Sequence, residues 1–103
     1  MSVLLEFAMF PTDKGASVSS YVSKVIKSIR DSGFEYRLTA MGTIVETDTL
    51  SEALSVVSNA YKALEGDSDR IYSNLKLDIR KGKDNRLKQK IESIESKIGK
   101  VDT

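Results

Sequence analysis

Hydrophobic residues along this chain recur with two different spacings, and the order of those spacings restricts the fold more than any other feature of the sequence. Residues 2 to 10 alternate loosely between apolar and polar positions and stop at Pro11, which lacks the N–H that a strand ladder uses. From Ser17, a predicted N-cap, apolar residues recur every three or four positions as far as Gly33. The first third of the chain therefore predicts a strand followed by an amphipathic helix.

The middle of the chain repeats these two patterns. Residues 34 to 38 and 42 to 47 are typical of strands, joined by a tight hairpin or by a bulged bend. Thr49 and Glu52 have the spacing of a capping box, which predicts a second helix that ends near Gly66.

The last third adds a strand and a helix. Residues 70 to 80 alternate as a strand with one apolar face. The tail from Arg86 predicts a third helix with a narrow apolar stripe suited to docking. The stripe consists of Leu87, Ile91, Ile94 and Ile98.

The resulting order, β-α-β-β-α-β with a C-terminal helix, predicts an α+β ferredoxin-like sandwich with an antiparallel sheet. We expect residues 1–103 to form a single domain. Both crossover helices cover one face of such a sheet, so the other face is open and predicts an interface or a ligand floor. The residues predicted on the open face are Leu4, Glu6, Ala8, Phe10, Tyr72, Asn74, Lys76 and Asp78.

Composition argues against an enzyme. The chain has no cysteine and no histidine, which excludes thiolate nucleophiles, imidazole bases and the usual zinc ligands. We therefore predict neither catalytic residues nor a metal site. The apolar run of residues 3 to 10 is too short for a signal peptide or a membrane span, so we expect a cytoplasmic protein without a membrane partner.

Basic residues are concentrated between positions 80 and 90, although the whole chain is nearly neutral, with 16 Lys and Arg against 15 Asp and Glu. The segment has six basic residues and one acidic residue, which could indicate nucleic-acid or phosphate binding. No aromatic residue there could stack on bases, so we favour a solvated loop and helix start and predict no nucleic-acid partner.

The segment Ala40-Met41-Gly42-Thr43-Ile44-Val45-Glu46, with its Met-Gly-Thr step, is the strongest candidate for a functional site. A glycine at this point predicts a sharp turn or the close approach of a ligand, because only glycine adopts positive φ at little cost. The alternation of apolar and polar residues does not decide which side chains of the following strand point inward. Both Thr43 with Val45 and Ile44 with Glu46 are credible inward pairs.

An ordered set of short motifs runs nearly the length of the chain and resembles the thiamine-binding MTH1187/YkoF-like family, the UPF0045 group. The motifs are Met9-Phe10-Pro11, Ser20-Tyr21-Val22, Ser32-Gly33, Met41-Gly42-Thr43 followed by Glu46, Asp69-Arg70-Ile71-Tyr72, Lys76-Leu77-Asp78 with Arg80, and Lys90-Ile91-Glu92-Ser93-Ile94. The resemblance implies a ferredoxin-like subunit that forms homodimers and homotetramers. It also implies binding of thiamine or a related hydroxymethylpyrimidine compound without chemical conversion.

By position in the motifs, the resemblance puts the ligand site at Met9, Phe10, Pro11 and Thr43. The Thr43 hydroxyl, the main chain of Met9 and Asn74 could read the edge of an aminopyrimidine. Further candidates are Met41 and Gly42 beside Thr43, Glu46 as a balance for the thiazolium charge, and Ser20 on the serine-rich face of the first helix. The alternative is a homo-oligomeric scaffold or regulatory protein with no thiamine affinity.

Overall fold

The computed structural model describes residues 1–103 and contains four strands and three helices. The sheet is antiparallel, with the strand order β2-β3-β1-β4. This arrangement is the ferredoxin-like fold that the order of spacings predicts. The elements are β1 (Ser2–Pro11), α1 (Ser19–Asp31), β2 (Glu35–Leu38), β3 (Thr43–Thr47), α2 (Leu50–Leu64), β4 (Ile71–Arg80) and α3 (Arg86–Ile98).

Helices α1 and α2 cover one face of the sheet and enclose a single apolar core. Alternate residues of β1 enter this core because successive side chains of a strand point to opposite faces. The core residues are Val3, Leu5, Phe7, Met9, Val25, Ile29, Val45, Ala53, Val56, Ala60 and Leu64.

The open face is the one that the sequence predicts. Strand β1 pairs with β4 so that Leu4 lies opposite Asp78, Glu6 opposite Lys76, Ala8 opposite Asn74 and Phe10 opposite Tyr72. Directly opposite residues of an antiparallel pair share a face, so all eight predicted residues lie on one side of the sheet.

Strand β4 differs from expectation in its burial. Its apolar residues Leu75, Leu77 and Ile79 pair with the fully or almost fully buried Phe7, Leu5 and Val3, on the helix side of the sheet. They nevertheless remain 38%, 41% and 46% exposed. The reason is that α1 and α2 pack over β1, β2 and β3, which leaves the edge strand without cover.

The predicted end of β1 and the predicted start of α1 are each wrong by one residue. Strand β1 includes Pro11, and the N–H of Thr12 still donates to the carbonyl of Arg70, the residue directly before β4. By alternation, an N–H at position 11 would point toward β3, which has already ended, so proline removes no ladder bond. Helix α1 has Val18, not Ser17, as its N-cap, because the Val18 carbonyl accepts the first helical N–H groups.

Helix α2 begins as predicted. The Thr49 hydroxyl accepts a hydrogen bond from the N–H of Glu52, and the Glu52 carboxylate accepts one from the N–H of Thr49. Gly33 follows α1 with a φ of +81°, a conformation suited to a helix C-terminus.

Helix α3 contacts the sheet mainly through its first turn. Leu87 is buried there, whereas Ile98 at the other end is 73% exposed. The stripe residues Ile94 and Ile98 therefore remain exposed within the subunit, at 45% and 73%. None of the three helices combines the length and the apolar character needed to cross a membrane.

Candidate functional site

A cleft of about 310 Å³ opens between α1 and the end of the sheet where the β2–β3 hairpin meets β1; we call it the α1 cleft. Its lining is mostly apolar and includes no ionisable side chain. Such a site suits a flat, uncharged ring. The lining residues are Phe7, Ala8, Met9, Phe10, Val22, Val25, Ile26, Leu38, Thr39, Ala40, Met41, Gly42 and Thr43.

Thr43 supplies a hydroxyl to this cleft. The register of β3 puts Thr43 and Val45 on the helix side and Ile44 and Glu46 on the open side, which decides between the two inward pairs. Thr43 is only 3% exposed, yet its hydroxyl forms no hydrogen bond within the chain. Every fully shielded side-chain polar atom has a partner, so solvent must reach this hydroxyl, and the cleft is the opening that Thr43 lines.

The main chain of Met9 supplies a second polar group. Strand β3 pairs with β1 only from Val3 to Phe7. Because Thr12 directs its N–H toward β4, alternation directs the N–H and C=O of Met9 to the opposite side, beyond the end of β3. One donor and one acceptor therefore stand without strand partners in a cleft that Thr43 also lines.

Gly42 is explained by a close backbone approach rather than by a turn that needs positive φ. Its φ lies outside the left-handed region. A Cβ at this position would lie 3.1 Å from the Phe7 carbonyl oxygen, so glycine lets the hairpin pack against β1. The hairpin turn itself is tight, because the N–H and the hydroxyl of Thr39 both donate to the Gly42 carbonyl at 2.8 Å.

We expect Gly42→Ala to lower the free energy of unfolding by about 1 kcal/mol, because the hairpin must shift away from Phe7. Gly66→Ala is the matched control, since a Cβ there would meet nothing within 4 Å and alanine reduces the freedom of the unfolded chain. Urea unfolding measures both variants. If the two variants were equally stable, the close approach of Gly42 to Phe7 would not be what requires glycine at position 42.

Five of the nine predicted site residues meet in the α1 cleft, namely Met9, Phe10, Met41, Gly42 and Thr43. Pro11 is buried next to this group but does not line the cleft, and Ser20 is exposed on the first turn of α1. Asn74 lies on the open face, in another hollow that it shares with Met41 and with the ion pair of Glu6 and Lys76 at 2.7 Å.

Sequence reasoning missed the helix wall of the cleft. Val22, Val25 and Ile26 belong to the apolar stripe of α1, which the spacing assigns to the core. The stripe also faces the end of the sheet, where β3 and the hairpin leave a gap. Only the length mismatch between the ten-residue β1 and the five-residue β3 could have indicated that gap.

Glu46 lies away from the cleft and holds the start of α3. Its carboxylate accepts hydrogen bonds from the Ser2 hydroxyl and from the N–H groups of Arg86 and Leu87 at 2.9 and 3.0 Å. Burial alone raises the pKa of Glu46. These hydrogen bonds and the Arg86 charge outweigh burial, so the pKa lies below its ordinary value.

The aromatic residues at this end of the molecule lie at the border of the two faces. Phe10 and Tyr72 are in contact on the open face, with ring centroids 5.8 Å apart and planes inclined by 41°. Met41, at the tip of the hairpin, is 90% exposed at the mouth of the cleft. A ligand that fills the α1 cleft would therefore extend toward Met41.

The sequence matches known proteins over most of its length. The family described as thiamine-binding protein matches residues 5–95. UPF0045 protein MJ1052 of Methanocaldococcus jannaschii is 39% identical over 92 residues, which cover 89% of this chain and 91% of that protein. UPF0045 protein MT1949 of Mycobacterium tuberculosis is 35% identical over 95 residues, which cover 92% of this chain and 93% of that protein.

Solved structures share the fold. The crystal structure of MJ1052 matches with a TM-score of 0.81 over 90% of this chain and 95% of that chain. Protein TM0486 from Thermotoga maritima matches with a TM-score of 0.78 over 91% of this chain and 99% of that chain, at 19% identity. At that identity the likeness concerns the fold alone.

Proposed function

The chain belongs to the thiamine-binding protein family, the UPF0045 group, and on this premise we propose that it binds thiamine or a related hydroxymethylpyrimidine compound in the α1 cleft without converting it. The family match confirms the resemblance predicted from the sequence motifs. One observation carries the proposal: the Thr43 hydroxyl and the main chain of Met9 both lie in an otherwise apolar cleft, and neither has a hydrogen-bond partner within the chain.

The cleft suits the pyrimidine half of thiamine better than the thiazolium half. The aminopyrimidine is flat and neutral, and its edge needs donors and acceptors such as those of Thr43 and Met9. The thiazolium is permanently cationic, and no acidic side chain lines the cleft. We therefore place the thiazolium at the solvent-exposed mouth beside Met41, where water can solvate its charge.

The cleft also favours binding over catalysis. A general acid or base must lie within hydrogen-bond reach of the reacting atoms, and no ionisable side chain lines this site. A protein that holds a vitamin without converting it fits this lining.

We expect Thr43→Val to weaken thiamine binding about tenfold, because it removes one hydrogen bond with little change in shape. Thr43→Ser keeps the hydroxyl and should retain most of the affinity. Isothermal titration with thiamine and with hydroxymethylpyrimidine measures the effect. If the folded wild-type protein took up neither compound, the α1 cleft would lose its assigned function.

Self-association is the second part of the proposal. The subunit leaves two apolar surfaces uncovered: the strip of Leu75, Leu77 and Ile79 on β4, and the stripe of Ile94 and Ile98 on α3. A small domain gains stability when such surfaces are buried. Two separate self-complementary surfaces generate a tetramer from a dimer of dimers, so we propose a homodimer that assembles into a homotetramer.

The same uncovered surfaces support the alternative function, a homo-oligomeric scaffold or regulatory protein without thiamine affinity. The two functions differ in one result. Undiminished assembly together with no uptake of thiamine or hydroxymethylpyrimidine would favour the scaffold.

A further inference from the structure

We propose a second ligand site, a groove that binds a phosphate or diphosphate group between the end of β4 and the first half of α3. This basic groove has a volume of about 450 Å³ and lies on the open face of the sheet. It shares no lining residue with the α1 cleft, so it does not depend on the function proposed for that cleft. Its lining residues are Leu4, Asp78, Arg80, Lys83, Arg86, Gln89, Lys90, Ser93 and Ile94.

The groove concentrates positive charge in a nearly neutral chain. Its four basic residues, Arg80, Lys83, Arg86 and Lys90, face one acidic residue, so the lining carries a net charge of +3, whereas the whole chain carries +1. Such a local excess attracts small anions.

The internal ion pair leaves this excess available. Arg86 pairs with Asp78 at 3.0 Å and thereby neutralises the only acidic residue of the groove. Arg80, Lys83 and Lys90 form no ion pair within the chain, although nine other ion pairs do form. Three positively charged side chains therefore line the groove without a paired acidic side chain.

The floor of the groove is rigid. Arg86 is only 8% exposed, and its guanidinium donates to the carbonyl oxygens of Ser2 and Asp78 at 2.7 and 2.6 Å. Gln89 and Lys90 follow Arg86 on α3 by about one turn, and Ser93 follows them by about one more, so all three line the groove. An amide, an ammonium and a hydroxyl thus stand beside the cations of β4 and its turn, and all three can donate to phosphate oxygens.

The start of α3 itself is not the binding group. Its first two N–H groups, those of Arg86 and Leu87, already donate to the Glu46 carboxylate. The anion would instead be bound by side chains.

A nucleic acid fits the groove less well than a small anion. No aromatic side chain lines it, so bases would have no surface on which to stack.

Titration of the full-length protein with inorganic pyrophosphate, followed by amide NMR shifts at low salt, tests the site. We expect saturable binding with shifts centred on residues 80 to 93, weakened about threefold to tenfold by each of Lys83→Gln and Lys90→Gln. Lys97→Gln is the matched control, because Lys97 is exposed on the same helix outside the groove. Thermal unfolding checks that all three variants remain folded.

Three results would overturn the proposal. The first is the absence of saturable pyrophosphate binding by the folded wild-type protein. The second is an equal loss in Lys97→Gln and Lys90→Gln, which would indicate attraction by net charge alone. The third is displacement of pyrophosphate by an oligouridine whose concentration, counted in phosphate groups, is lower than that of the pyrophosphate. That result would assign the groove to nucleic acid. Thiamine uptake should be unchanged in Lys90→Gln, so the two sites can fail separately.

Discussion

Replacing Glu46 by glutamine is expected to lower the free energy of unfolding by about 2 to 3 kcal/mol and to loosen the start of α3 from the sheet. The Glu46 carboxylate accepts hydrogen bonds from three donors, contributed by Ser2, Arg86 and Leu87. A glutamine side chain has one acceptor oxygen, and its NH₂ group would face donors. At least one buried N–H of the helix start would then lose its partner.

The pH dependence of stability provides a second readout of Glu46. Its pKa in the folded protein lies below the ordinary value of 4.5, because the three hydrogen bonds and the Arg86 charge outweigh the effect of burial. The stabilisation is therefore complete above about pH 4.5 and is lost as the pH falls through the lowered pKa. We expect the difference in stability between wild type and Glu46→Gln to shrink over that acidic range.

Glu92→Gln is the matched control for this prediction. Glu92 lies on α3, is exposed and forms no ion pair within the chain, so the same substitution there should change stability by less than about 0.5 kcal/mol. Urea unfolding at pH 7 compares the variants. If Glu46→Gln were as stable as Glu92→Gln, the carboxylate would not be what holds α3.

The contact of Glu46 with the start of α3 is a feature that the sequence did not predict. The periodicities of β1, α2 and β4 arise from neighbouring residues, so the order of elements and the composition of the open face were predictable. The partner of Glu46 is 40 residues away at Arg86, and Asn85, the N-cap of α3, has no side-chain cap bond of its own. A cap supplied by another strand leaves no local pattern.

The candidate site was predictable in part for the same reason. Met9, Phe10, Met41, Gly42 and Thr43 belong to two local motifs, and the pairing of β1 with β3 brings the motifs together. The contact between Gly42 and Phe7 depends on how closely two backbones approach. Spacing alone indicates that glycine is needed, but not whether a turn, a ligand or another strand requires it.

The exposure of the apolar side of β4 was also not predicted from the sequence. Alternation correctly predicted which side of β4 is apolar, but alternation does not report whether a helix lies over that side. Strand β4 is at the edge of the sheet and has ten residues, so it presents a long row of unpaired N–H and C=O groups beside exposed leucines. Soluble proteins rarely leave such an edge unpaired. The self-association proposed above would cover this edge if β4 paired with β4 of a second subunit.

If the proposed assembly forms, substituting Leu77 with lysine is expected to yield smaller species that lack the proposed β4 contact. Leu77 lies in the middle of the uncovered strip, and it is exposed enough in the single subunit for a lysine to reach water. In a two-fold pairing of β4 strands centred near Leu77, lysines from both subunits would come close together, and like charges across strands are destabilising. The subunit itself should stay folded.

Sedimentation at micromolar concentration measures this effect. If the wild-type protein is a tetramer, we expect Leu77→Lys to lose at least half of the mass, down to the 11.4 kDa subunit if the α3 contact alone is too weak to persist. Asn59→Lys adds the same charge on the exposed, polar side of α2 and should leave the mass unchanged. A wild-type protein that sediments as a monomer would contradict the assembly. A Leu77→Lys variant with undiminished mass would place the contact elsewhere, and the stripe of α3 would then be the surface that holds the subunits together.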